Sequence, residues 1–217
     1  KSALKPMVCI FAHPDDESFG PSGTIAKFTK ERSVYVICVT DGNTKGASQK
    51  DLSEIRRKEL LASAKILGVK KVFFLNYKDG DLCNNIYHEV ADKIKKILEK
   101  IKPETLMTFE LSGVSGHIDH VFCSMVTTYL FQKLSFAKTL LYFTVSGLVS
   151  KKFKDYFIYF PPGCKRSEVD KIENVSKFLD LKIKAINCHA SQIQDVKTVL
   201  ALVKKLPSEE YFLALKK

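Results

Sequence analysis

The chain has 217 residues, 45% of them hydrophobic, which suits a single α/β domain with one well-buried core. Lys and Arg number 35 against 24 Asp and Glu, a formal charge of +11 that favours anionic partners in general without choosing among acidic substrates, nucleic acid and membrane surfaces. Uncharged apolar stretches such as TLLYFTVSGLVS, with twelve residues, fall short of the roughly 18 needed to cross a bilayer, so no membrane span is expected.

In chain order, apolar runs rich in β-branched and aromatic residues predict strands at 7–12 (MVCIFA), 33–40 (SVYVICVT), 71–77 (KVFFLNY), 104–110 (ETLMTFE) and 140–145 (LLYFTV), with a sixth at 156–161 (YFIYFP). Between them GTIAKFTKE, DLSEIRRKELLASAKILGV, IYHEVADKIKKILEKIK and HIDHVFCSMVTTYLFQKL carry apolar residues at three- and four-residue spacing and predict helices. Gly42 and Gly46 follow the second strand, Gly68 closes a helix, and Asp79-Gly80 follows the third strand. This alternation predicts a Rossmann-like, mostly parallel sheet with helices on both faces, in a single domain over residues 1–217. The Lys-rich, Pro-containing region 150–166 lies too near the C-terminus to link a second domain, and the tail from Glu168 to Leu206 reads as helices on the same sheet.

Lysine pairs such as Lys95-Lys96 and Lys151-Lys152 fall on amphipathic segments, so solvated helix faces account for most of the charge excess. The six cysteines, Cys9, Cys38, Cys83, Cys123, Cys164 and Cys188, form no CxxC pair, and several sit in strand-like runs, which points to a reducing, cytoplasmic location. No signal peptide precedes Met7, but the chain opens on Lys1, which leaves a preceding anchor open.

Ligands of an open parallel sheet bind beyond the carboxyl ends of its strands. AHPDDE occupies that position after the first strand, and GVSGHIDH after the fourth. If the chain turns after Pro14, His13 and Asp16 converge on one centre with Asp15 beside it. Imidazole and carboxylate suit Zn²⁺, whose catalytic sites use three protein ligands and a water, so one ligand is still wanted. The simpler reading of the first motif is a helix N-cap through Asp15 or Asp16. The second motif supplies His117, Asp119 and His120, and the two histidines, three residues apart on a helix, face one side.

The segments AHPDDE, VTDGNTKG, EIRRKEL, DGDL, GVSGHIDH and CHASQ, in this order, resemble the LmbE-like, or PIG-L, family of zinc-dependent N-deacetylases over nearly the whole chain. TFELSGVSGH is similar to the branch that acts on N-acetylglucosaminyl-phosphatidylinositol, although that branch often carries Asn in place of Asp119. Ile118 replaces a Pro common in bacterial members, and Ser22 a second Gly. The resemblance implies that His13, Asp16 and His120 hold one Zn²⁺, or another divalent metal, per chain, with Asp15 as general base. A zinc-activated water then attacks the acetamide carbonyl of an N-acetylglucosamine-containing small molecule. His117, protonated and held by Asp119, joins the metal in stabilising the oxyanion, and either Asp15 or His117 protonates the departing amine. Arg56 and Asp79 match positions around the substrate, and His189 in CHASQ either contacts the substrate or shapes its pocket.

Plainer roles stay open at this point: Arg56 pairing with Glu59 on its helix, and Asp79-Gly80 as a turn. The aglycone depends on the loops 43–52 and 146–166, and an anionic aglycone would lie near Arg56, Arg57 or Lys45. No nucleic-acid partner is expected, a homo-oligomer is, and association with a membrane surface stays open. Two rival classes are a metal-dependent phosphoesterase, which often needs a second metal and more carboxylates, and a basic Rossmann-like module for nucleotides or nucleic acid. The second lacks a GxGxxG after the first strand and an RNP-type aromatic pattern.

Overall fold

A computed structural model describes residues 4–43 and 51–217; Lys45, Gly46 and most of the loop expected to choose the aglycone lie outside them. Five parallel strands follow the predicted runs: β1 Met7–Phe11, β2 Val34–Thr40, β3 Lys71–Tyr77, β4 Thr105–Phe109 and β5 Thr139–Thr144. The sheet is completed by β6 Lys171–Asn174 and β7 Glu209–Lys216, in the order β3-β2-β1-β4-β5-β7-β6. β7 runs antiparallel to β5, and β6 antiparallel to β7.

β1 lies in the middle, buried at every residue, with Met7 level with Val34 on one side and Thr105 on the other. Central burial explains its composition, since a strand covered on both faces needs a continuous apolar run. The connections leave β1 toward β2 on one side and later return to β4 on the other. The crevice between the carboxyl ends of β1 and β4 is therefore the switch point at which such sheets bind ligands.

The helices are α1 Asp16–Phe19, α2 Ser22–Phe28, α3 Leu52–Leu67, α4 Tyr87–Ile101, α5 Ile118–Lys133, α6 Gly147–Ser150, α7 Leu179–Ile186 and α8 Ile193–Val203. α7 packs on α2 and α3, while α4 packs on α5. α3 ends where Gly68 takes a left-handed backbone, φ 80°, and closes the last turn through Ala64 and Lys65 carbonyls.

Two expectations fail at the C-terminal end. Residues 156–161 form no strand, because their rings pack on one another and on Phe153 rather than entering the sheet: Tyr156 lies 4.8 Å from Phe157 and Phe160 5.6 Å from Phe153. The tail contains α7 and α8 as expected, but also β6, and β7 follows it. β6 is four residues, KIEN, at a sheet edge with one buried position, too short and polar to announce itself.

Candidate metal centre

The first motif is a turn forced at the end of β1. The Ala12 carbonyl accepts from both the backbone N–H and the hydroxyl of Thr40, each at 2.8 Å, which pins the strand end to β2. Asp15 then takes φ 149°, a backbone that side-chain-bearing residues rarely adopt, held by Ser18 and Phe19 N–H groups on its carbonyl. Neither carboxylate caps α1: Asp16 accepts from the His13 N–H at 2.6 Å, and Asp15 accepts from Arg56 at 2.8 Å. The N-cap reading is thereby set aside.

The second motif is shaped by Glu110, just after β4. Its carboxylate accepts from the N–H groups of Ser112 (2.8 Å) and Val114 (2.7 Å) and from the Ser112 hydroxyl, folding the loop tightly. Gly113 has φ 75°, and a Cβ there would lie 2.9 Å from Cβ of His120, so glycine is what lets His120 approach. His117 is the N-cap of α5 and accepts the Asp119 N–H on Nδ1 at 3.1 Å.

Hydrogen-bond partners fix both rings that face the crevice. His120 Nδ1 lies 3.0 Å from the Gly113 carbonyl, which can only accept, so that nitrogen carries the proton and Nε2 is a lone pair. His13 Nε2 lies 3.2 Å from both Asp79 and Asp119 carboxylates, so it too is an N–H, leaving Nδ1 bare in the neutral ring. These two bare nitrogens face each other at 3.1 Å, with Asp16 oxygens 3.3 Å from His120 and 3.6 Å from His13. Lone pair against lone pair beside a carboxylate demands a positive charge between them.

In the metal-free protein that charge is a proton. Burial opposes an imidazolium at His13, but the hydrogen bonds to Asp119 and Asp79 outweigh it and push its pKa up to about 10. Burial likewise opposes ionisation of Asp16, and the neighbouring His120 and His13 overcome it, holding the carboxyl well below the usual range. The same three donors fit a divalent metal, since ligand atoms about 2.0–2.2 Å from one ion lie roughly 3–3.5 Å from each other. Asp79 and Asp119 supply the outer hydrogen bonds that orient such a ligand.

His13 also shares a donor group with Asp79, His117 and Asp119, and another with His117 and His120, each within 4.8 Å. Neither of those groups includes Asp16, and in the one with Asp79 and Asp119 the nitrogen that His13 turns toward them already carries a proton between two acceptors.

Other expected residues fall in different places. Arg56 is 5% exposed and does not pair with Glu59, which instead accepts from Ser191. Its guanidinium donates to Asp15, the Pro14 carbonyl (3.1 Å) and the Gly42 carbonyl (2.7 Å), with Asp79 at 3.7 Å. So enclosed, Arg56 clamps the first motif, and an anionic aglycone has no access to it. Burial pushes Asp15 up to about 6 against the pull of Arg56. Asp79 is more than a turn residue, since its contacts are His13 and Arg56.

His117 departs from the expectation of a protonated ring held by Asp119. Burial and the charges of His13 and His120 bring its pKa down to about 4. Asp119 offers it only a backbone N–H, because its carboxylate is engaged by His13 and the Gly80 N–H at 2.8 Å. Neutral His117 thus keeps its proton on Nε2. His189 is fully buried, 3.1 Å from Glu17 and 3.2 Å from the Ser18 hydroxyl, behind α1 and out of reach of a substrate. Its hydrogen bonds go to α1 rather than into the crevice.

Three contributors went unassigned in the sequence. Glu17 stands inside AHPDDE, yet its buried bonds to Ser63 and His189 cross from α1 to distant segments. Glu110 was readable only as the end of a strand. Phe157 sets its ring 5.4 Å from His117, out of a loop with no motif.

The sequence profile of the family described as PIG-L, GlcNAc-PI de-N-acetylase, matches residues 8–131. A Schizosaccharomyces pombe protein named "Probable N-acetylglucosaminyl-phosphatidylinositol de-N-acetylase" is 33% identical over 57% of this chain and 50% of its own, so the match spans half of that relative. A 1D-myo-inositol 2-acetamido-2-deoxy-alpha-D-glucopyranoside deacetylase of Mycobacteroides abscessus is 27% identical over 86% of this chain and 81% of its own. Among solved structures, the N,N′-diacetylchitobiose deacetylase of Pyrococcus horikoshii is 26% identical, with a TM-score of 0.70 over 98% of this chain and 84% of that one. The matched span exceeds half of the chain and holds both histidine motifs, and the chain belongs to the PIG-L family.

Proposed function

We propose that the chain is a metal-dependent deacetylase that hydrolyses the acetamide of an N-acetylglucosamine-containing small molecule, from a single domain with one Zn²⁺, or another divalent ion, held by His13, Asp16 and His120. The observation that carries this reading is the pair of opposed imidazole lone pairs, 3.1 Å apart beside Asp16. The named relatives support the substrate class, since those reported act on N-acetylglucosamine-type groups.

Bound there, the metal would bring a water's pKa toward neutrality and polarise the amide carbonyl. Asp15 takes the water's proton; Arg56 holds its carboxylate in place, and burial keeps it basic enough to accept. His117, neutral and protonated on Nε2, donates to the oxygen on which negative charge develops. Asp15 returns the proton to the departing amine. Asp79 and Asp119 keep His13 in the tautomer that turns Nδ1 to the metal.

Of the basic residues expected near an anionic aglycone, Arg57 is the one that lines a described groove: it lies 3.8 Å over the Phe74 ring, but Asp41 and Glu54 line the same groove and oppose an anion there. The phosphoesterase alternative finds no second metal set free of shared His13 among the described residues, and the reported relatives give no support to a nucleic-acid module.

The test is release of primary amine from N-acetylglucosamine conjugates, before and after chelation and with metal restored. Metal-dependent amine release is expected; a metal-replete protein that frees phosphate but no amine contradicts the reading.

A further inference from the structure

Beside the metal centre, the segment 148–160 turns large apolar side chains outward. Ile158 is wholly exposed, and Leu148, Tyr156 and Tyr159 are 62%, 51% and 63% exposed. The segment is nonetheless held by its own rings. Phe153 packs on Tyr156 and Phe160, Tyr156 packs on Phe157, and Phe157 sets its ring against His117. The Tyr156 hydroxyl donates to Asp195 at 2.7 Å, and the Tyr159 carbonyl closes on Gly116 so tightly that a Cβ there would meet it at 2.6 Å. Inward-turned phenylalanines thus fix Ile158 and Tyr159 at an outer tip, next to the second motif.

The chain that carries that tip is basic. Residues 148–166 carry five basic side chains and one acidic, Asp155. Lys154 lies near Asp155, and Lys165 and Arg166 pair with Glu168 and Glu209, but Lys151 and Lys152 are exposed and make no ion pair among the described residues. An aliphatic and tyrosine tip flanked by free lysines matches the boundary of acyl chains and anionic headgroups: the apolar groups enter, and the ammonium groups stay with the phosphates. A second copy fits poorly, because a two-fold contact would set this basic surface against itself.

We propose that the 148–160 segment docks the protein on an anionic lipid surface, with His117 and the mouth of the metal centre beside the headgroups. The proposal stands on exposure, ring packing and charge, and does not depend on which amide the site cleaves.

The test is co-sedimentation of the full chain with phosphatidylcholine vesicles, with and without phosphatidylserine. Binding to the anionic vesicles that weakens with added salt is expected. Lys151→Gln/Lys152→Gln should lower the partition coefficient by about 25-fold, roughly fivefold per lysine, and Ile158→Ser by roughly tenfold. Both variants change exposed side chains, so thermal melts and deacetylation of a water-soluble N-acetylglucosamine conjugate should match wild type. Vesicle binding without any amine release would support docking while counting against the deacetylase reading. Equal sedimentation with neutral and anionic vesicles, or variants that bind like wild type, overturns the proposal. So does a dimer that Ile158→Ser dissociates, which would give this surface to a second copy.

Discussion

Two buried ionic clusters, one at the start of α2 and one in the crevice between β1 and β4, differ in how their charges are met. Under α2, Lys182 donates to Glu210 at 2.6 Å and to the Gly20 carbonyl at 2.7 Å, while Glu210 also accepts the N–H groups of Gly23 (2.9 Å) and Thr24 (2.7 Å). Each charge there is met by a partner of the other sign or by an aligned backbone group. In the crevice between β1 and β4, bare nitrogens oppose each other and a buried oxygen of Asp119 has no hydrogen-bond partner. Its ionisable groups are driven from their ordinary pKa: His13 up to about 10, Asp15 up to about 6, His117 down to about 4, and Asp16 and Asp79 below the usual carboxylate range. Buried charge alone therefore does not mark function; buried charge left without its complement does.

The open cluster is most sensitive at Asp15. Asp15→Asn keeps the shape of the carboxylate and its place beside Arg56 but removes the proton acceptor, so kcat should fall about 10²- to 10⁴-fold with metal content unchanged. Kinetics together with elemental analysis would check both halves. A variant that keeps near-native turnover would remove Asp15 from the role.

The closed cluster should respond in stability instead. Glu210→Gln leaves Lys182 buried without its countercharge, a loss expected to approach 3–5 kcal/mol, measured by denaturant unfolding, while activity per folded molecule stays near wild type. The reverse pattern, stability kept and activity lost, would erase the distinction drawn between the two clusters.

A smaller effect sharpens the open site. Asp79→Asn weakens the outer hydrogen bond to His13, and metal affinity or activity should drop about 10- to 100-fold, with folding little changed because Asp119 still reaches His13 at 3.2 Å. Full metal affinity in the variant would assign Asp79 a purely structural turn.

Protonation gives the finest readout. His13 holds its proton below about pH 10 in the metal-free protein, and a metal must displace that proton from between His13 and His120. Metal binding at neutral pH should therefore release about one proton, and affinity should rise as pH rises toward that value. Calorimetry in buffers of different ionisation enthalpy measures the release; binding with no proton exchanged would place the metal elsewhere.

The parallel part of the sheet was legible in the sequence because its strands are apolar runs between amphipathic helices, four of them largely buried and β3 half-buried at the sheet edge. The switch point followed from that order, and both motifs stood at it as quoted. What stayed hidden depends on distant chain: Arg56 and Glu59 are neighbours on α3 in a pattern that suits an ion pair, yet each is claimed by a segment remote in sequence. His117 and Asp119 likewise read as a pair, but the N-cap geometry gives Asp119's N–H to His117 and its carboxylate to His13. β6 and β7 escaped because edge pairing is set by a neighbour's hydrogen bonds rather than by local periodicity. The ring-packed segment at 153–160 imitated a strand by composition alone.

Whether the unbalanced cluster, rather than buried charge in general, holds a divalent ion is decided by stripping the protein with a chelator, adding back Zn²⁺ and measuring bound metal per chain in wild type, Glu210→Gln, His13→Ala and His120→Ala. About one ion per chain is expected for the first two, and loss of that ion in both histidine variants. Full occupancy in His13→Ala and His120→Ala alike would contradict this assignment.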